Sequence, residues 1–160
     1  MRFRRRAALA LSGAVLVGGL VTATSGPASA ATCPSAGHLF KTASDRTVYL
    51  TGSDRLYFFP YSSDYFGLYT SYSGISTVSD SVQIACINAS PQKIGWALAD
   101  AKLVKSSGSA KVYIYDYSAP NGGGYRWITS QSVFDTYGFA SSKIVTVSAS
   151  SIAPIASNWT

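Results

Sequence analysis

Thr47-Val48-Tyr49-Leu50 and Lys111-Val112-Tyr113-Ile114 lie 64 residues apart, and reading them together decides the fold. In each, aliphatic residues alternate with tyrosine, the period-two pattern of a strand with one buried face. Leu39-Phe40-Lys41 and Leu103-Val104-Lys105 keep the same offset. Beyond the next turn the offset becomes 69: Phe58-Phe59 falls on Trp127-Ile128, Tyr65 on Phe134, Ile75 on Ile144, and Thr77-Val78-Ser79 on Thr146-Val147-Ser148. A five-residue insertion in one turn accounts for the change. Similarity held in constant order is the mark of an internal duplication, with units at 39–89 and 103–156 and a linker at 90–102.

Each unit is predicted to begin with a hairpin. Its turn contains Gly52-Ser53-Asp54 in the first unit and the longer Asp116 to Gly124 in the second, where Pro120 presets the turn and the glycines permit positive φ. The returning strands are Leu56 to Phe59 and Tyr125 to Ile128. Ser130 is placed to cap a short helix that stops at Gly138, and Ser62 to Gly67 offers a weaker version. A third strand and a second Ser-capped turn complete the unit. In the linker, Ser90-Pro91 is expected to start a helix with Ile94, Ala97, Leu98 and Ala101 on one face. The expected class is α+β, mostly antiparallel β, with two hairpin-helix-strand units sharing one core, because a fifty-residue unit alone buries too little surface.

The chain begins Met-Arg-Phe-Arg-Arg-Arg, continues with an apolar stretch from Ala7 to Val21, and reaches Ala28-Ser29-Ala30. That order predicts a signal peptide over 1–30, cleavage after Ala30 and a secreted, extracellular product of one domain, 31–160, without a membrane span. The general secretory and twin-arginine routes both stay open. The formal charge of +6 is mostly leader, since nine Lys/Arg face seven Asp from residue 31 onward. So little excess charge argues against nucleic acid as partner. In an oxidising compartment Cys33 and Cys86 are expected to form a disulfide, closing a loop of 52 intervening residues.

The run Val112 to Ser148, with Val-Tyr-Ile, a Gly-rich turn, Tyr-Arg-Trp-Ile-Thr-Ser, Val-Phe-Asp-Thr-Tyr-Gly-Phe and Ile-Val-Thr-Val-Ser, resembles a repeat of secreted and surface proteins of bacteria. The first unit matches it loosely, with Tyr57 at the place of Arg126 and Tyr69 at that of Gly138. The resemblance implies a non-catalytic appendage. A second, slighter likeness is to the small exported adaptor subunits of actinobacterial toxin particles.

Chemistry-bearing residues are sparse. There is no Glu, and His38 is the one histidine, so a serine nucleophile has a single candidate base and no Gly-x-Ser-x-Gly elbow to sit on. Asp64, Asp80, Asp116 and Asp135 are scattered in capping and turn contexts, and no metal-ligand spacing occurs, so no enzyme, metal or cofactor is expected. Aromatic surface remains. Trp127 is expected in the core with Tyr125 on its face, and Tyr49, Tyr113 and Tyr115 on the opposite faces. Tyr113, Tyr115, Tyr117 and Arg126 then form a candidate binding patch, because tyrosine gives large contact area at small entropic cost and arginine adds directed hydrogen bonds. The expected function is that of a secreted binding or adaptor module for an extracellular protein or an envelope glycan. The alternatives are a protease inhibitor acting through the 116–124 loop and, more remotely, a small hydrolase dependent on His38.

Overall fold

Alternation in the two quoted segments becomes strand pairing in the computed structural model, which describes residues 30–120 and 122–160. The predicted leader and its cleavage region up to Ser29, and Asn121, lie outside the described residues. In the first half the strands are β1 (Leu39–Thr42), β2 (Tyr49–Thr51), β3 (Leu56–Phe58), β4 (Ser76–Val78) and β5 (Trp96–Ala97), with helices α1 (Ser62–Phe66) and α2 (Asp80–Ala89). The second half has β6 (Leu103–Ser106), β7 (Tyr113–Asp116), β8 (Gly124–Trp127) and β9 (Ile144–Val147), with helix α3 (Gln131–Thr136). They form two sheets, ordered β4-β1-β2-β3-β5 and β8-β7-β6-β9.

The pairing registers of the two sheets correspond. Leu39 faces Leu50 as Leu103 faces Ile114; Leu50 faces Tyr57 as Ile114 faces Arg126; Lys41 faces Thr77 as Lys105 faces Thr146. The sheets are mixed, which corrects the mostly antiparallel expectation. The hairpins are antiparallel, but β1 with β4, β6 with β9, and β3 with β5 are parallel. The cause is the short helix. Running from β3 through α1, or from β8 through α3, the chain crosses to the far side of β1 or β6 and enters pointing the same way, as a helical crossover requires.

The linker is also corrected. The helix precedes it: α2 ends at Ser90, whose backbone N–H bonds the carbonyls of Cys86 and Ile87. Pro91 cannot donate and favours an extended residue before it, so the helix stops there. After one tight turn over Pro91–Lys93, residues 96–97 add β5 to the edge of the first sheet, and the Leu98 amide reaches the Phe58 carbonyl at 2.8 Å. Ser90 both closes α2 and starts the single 3-10 turn Pro91–Lys93, which does not extend into the expected helix, and its hydroxyl accepts from the Leu56 amide.

One apolar cluster joins the inner faces of both sheets: Leu39, Leu50 and Tyr57 meet Leu103 and Ile114, sealed by aromatic residues of the helical segments and by Trp159. The outer face of the first sheet is covered by α2, where Phe40, Tyr49, Leu56 and Cys86 are buried. On the outer face of the second sheet Ile152 is buried with Val104 and Tyr125, and Tyr113, Tyr115 and Val147 pack half-buried against them. Cys33 and Cys86 are bonded, tying the segment ahead of β1 to α2. Among the described residues no helix is long and apolar enough to cross a membrane. The tail runs beside β8, with the Ala156 amide on the Tyr125 carbonyl and the Trp159 amide on the Trp127 carbonyl, both at 2.9 Å.

Candidate functional site

Period-two alternation along β7 turns Ile114 and Asp116 inward and leaves Tyr113 and Tyr115 half-buried on the outer face. Their cross-strand partners are Trp127 and Tyr125. The outer face of this hairpin is therefore a strip of four rings. Trp127 lies on it beside Tyr113, half-buried, not in the core on the other face. The aromatic edge of Tyr115 meets Tyr125 with centroids 5.2 Å apart. The Lys102 ammonium sits 5.1 Å above Tyr115 and 5.9 Å from Tyr125, while Lys111 lies 4.6 Å above Trp127. Tyr117, just past the strand, is 53% exposed. Beside Tyr115 a cleft of about 370 Å³ is lined by Lys102, Asp100 and Asp64. Tyr49, at the corresponding place in the first sheet, is buried under α2 instead.

Arg126 does not belong to this strip. Facing Ile114, it points into the core and is 5% exposed. Its Nη1 donates to Asp116 Oδ2 at 3.1 Å and to the Tyr57 hydroxyl, and its Nε and Nη2 donate to the carbonyls of Ser157 and Asn158 at 3.0 and 2.8 Å. The Trp159 ring lies 4.9 Å from the guanidinium carbon. Tyr57 donates to the same Asp116 oxygen, and burial, reinforced by the Asp116 carboxylate, pushes its phenol far above the usual range, so it stays neutral. Arginine here joins two sheets and the tail. The four residues predicted as one patch thus divide: Tyr113, Tyr115 and Tyr117 lie outside, and Arg126 lies inside. Lys102 and Lys111 take the role of cation on the outer face; Lys102 had counted only as the end of the linker.

The 116–124 turn is tied at its base. Asp116 Oδ1 accepts from the Ser118 amide at 2.9 Å, Ser118 Oγ donates to the Ala97 carbonyl, and the Gly123 amide bonds the Ala119 carbonyl at 3.0 Å. Gly123 has φ of +101°, a conformation that favours glycine, and its backbone passes close to the Tyr115 hydroxyl.

His38 is exposed and its Nε2 lies 2.9 Å from Ser76 Oγ. The Ser76 hydroxyl also lies 3.2 Å from the Leu39 carbonyl, so its one proton is shared between two acceptors within reach. A shallow cleft of about 250 Å³ adds Asp135 and Ser73 near His38, but Asp135 Oδ1 accepts from Gln131, and no carboxylate among the described residues bonds the imidazole.

No protein-family model matches the chain, and neither a curated protein nor a solved structure is detectably similar to it.

Proposed function

We propose that the chain is a secreted, non-catalytic binding module, built from two copies of one ancestral segment, that contacts an extracellular protein or an envelope polymer. The observation that carries this reading is the outward strip of Tyr113 and Tyr115 with exposed Tyr117 and the Lys102 ammonium above it. Rigid strands hold these rings, so little side-chain entropy remains to be lost on binding. The corresponding registers of the two sheets support the duplication, and the disulfide is in keeping with an oxidising compartment.

The test is capture from the producing culture, comparing cell wall, secreted proteins and polysaccharide. Tyr115→Ala with Tyr117→Ala is expected to abolish retention without unfolding the protein. Undiminished retention by that pair would remove the strip from the argument. A second reading, protease inhibition, draws on the exposure of Tyr117 on a turn anchored by Asp116 and Ser118. It predicts micromolar inhibition of at least one secreted protease and loss of that inhibition in Tyr117→Ala.

A further inference from the structure

Two clefts, the second reaching the Trp127 end of the aromatic strip, are lined in large part by corresponding residues. One, of about 320 Å³, is bordered by Arg46, Thr47 and Val48 at the start of β2 and by Phe59 to Ser62 and Tyr65 at the start of α1. The other, of about 210 Å³, is bordered by Ala110, Lys111 and Val112 and by Ile128 to Gln131 and Phe134. Residues 46 to 48 become 110 to 112 at the offset of 64, and 59 to 62 and 65 become 128 to 131 and 134 at the offset of 69.

Recurrence extends to chemistry. Each cleft carries one exposed cation, Arg46 or Lys111, and neither is lined by an acidic residue. Among the described residues neither cation forms a salt bridge. Each cleft also has an aromatic wall, although the residues that form it do not correspond between the two. In the first, Tyr61 is 72% and Tyr72 53% exposed, and Tyr72 stacks on Tyr65 with centroids 5.1 Å apart at 24°. In the second, Trp127 carries Lys111 over its ring. Hydroxyl and amide groups complete the lining at Thr47 and Ser62, and at Thr129, Ser130 and Gln131.

We infer that the two clefts are related subsites for an acidic polysaccharide, each taking a carboxylated sugar unit, an inference that rests on the binding-module reading and names its ligand. A pyranose ring offers a flat C–H face to an aromatic wall and hydroxyls to side-chain donors and acceptors. Its carboxylate supplies the charge that Arg46 and Lys111 lack. A polymer repeats its unit, so one chain presents the same group to both clefts, whereas a folded protein partner has to present two matching surfaces of its own. Linked engagement then raises affinity through effective concentration.

Binding of the purified protein to polygalacturonate, dextran, polyglutamate and single-stranded DNA tests this. Polygalacturonate is expected to bind most tightly. Arg46→Ala, Lys111→Ala and Tyr72→Ala should each weaken it about tenfold, and the Arg46/Lys111 double variant roughly a hundredfold. Lys41→Ala, which removes an exposed charge outside both clefts, should leave it unchanged. Equal binding of polyglutamate shows charge alone at work, and tighter binding of dextran or DNA shows another ligand class; either overturns the inference, as does indifference to the cleft variants. If capture from culture survives the double variant and is lost in Tyr115→Ala/Tyr117→Ala, the subsites fall and the binding module stands. If the protein binds nothing in culture or in this panel, both fall.

Discussion

Replacing Arg126 by methionine separates a structural role from a contact role. The guanidinium makes four hydrogen bonds, to Asp116, Tyr57 and the carbonyls of Ser157 and Asn158, and Asp116 beneath it is wholly buried. Methionine fills much of the same volume but leaves the carboxylate with only the Tyr57 hydroxyl and the Ser118 amide. Removing one partner of a buried pair destabilises by about 3–5 kcal/mol, a large share of the roughly 5–15 kcal/mol that a domain of this size possesses. Denaturant unfolding followed by tryptophan fluorescence is the assay, because Trp159 stacks on Tyr57 at 5.0 Å and reports the same place. Arg126→Lys should recover part of the loss, since an ammonium reaches Asp116 but lacks the fork that spans both tail carbonyls. Asp116→Leu combined with Arg126→Met should lose less than Arg126→Met alone, as the stranded charge is gone. Stability within about 1 kcal/mol of the parent for Arg126→Met, or normal stability with lost binding, would refute the interior role.

Three further outcomes are expected. Reducing the Cys33–Cys86 bridge should lower unfolding free energy by roughly 4 kcal/mol through the freed loop; an unchanged denaturation midpoint in reductant would contradict this. Tyr49 is pushed up to about 12, first by burial and then by the hydrogen bond to Asp45. With the folded value raised above the ordinary 10, its contribution is intact below pH 10 and is lost as pH climbs toward 12. Tyr49→Phe should flatten that part of the alkaline stability curve, and an identical slope would count against the assignment. Gly67→Ala places a Cβ 1.9 Å from the Ala101 carbonyl oxygen although φ is an ordinary −66°, so the loss of about 1–3 kcal/mol is steric; a neutral substitution measured by thermal melting would show that the contact between the end of α1 and the segment ahead of β6 yields easily.

The acidic side tells the same story from the first sheet. The Thr47 amide, followed by the Tyr49 hydroxyl, holds the Asp45 carboxyl below its usual range, so its contribution is present above the ordinary carboxylate value and fades as pH falls through the lowered one. Gln83 of α2 donates to the Tyr49 hydroxyl, which links this turn to the helix. Its start at Ser79 falls on the Ser-capped turn expected after the third strand, but its continuation to Ala89 was not foreseen. Asp80 to Ala89 buries few positions, chiefly Cys86 with Val82 and Ile87 beside it, and its amphipathic signal is correspondingly faint.

Local chemistry explains what was legible in the chain alone: the strands of the two hairpins, both hairpin turns, the Ser130 cap with its 3.1 Å bond to the Val133 amide, the pairing of the two cysteines, and offsets of 64 and 69 that coincide with the pairing registers. Alternation correctly separated Arg126 from Trp127. It does not say which face is inside, because both faces of each sheet carry aromatics and both are at least partly covered. That choice came from partners distant in sequence: Tyr57 and Asp116 drew Arg126 inward, α2 closed over Tyr49, and the sparse cover around Ile152 left Tyr113 and Tyr115 accessible. Burial is a property of what another segment brings to a face, so only the assembled sheets could distinguish an anchoring arginine from a contact residue.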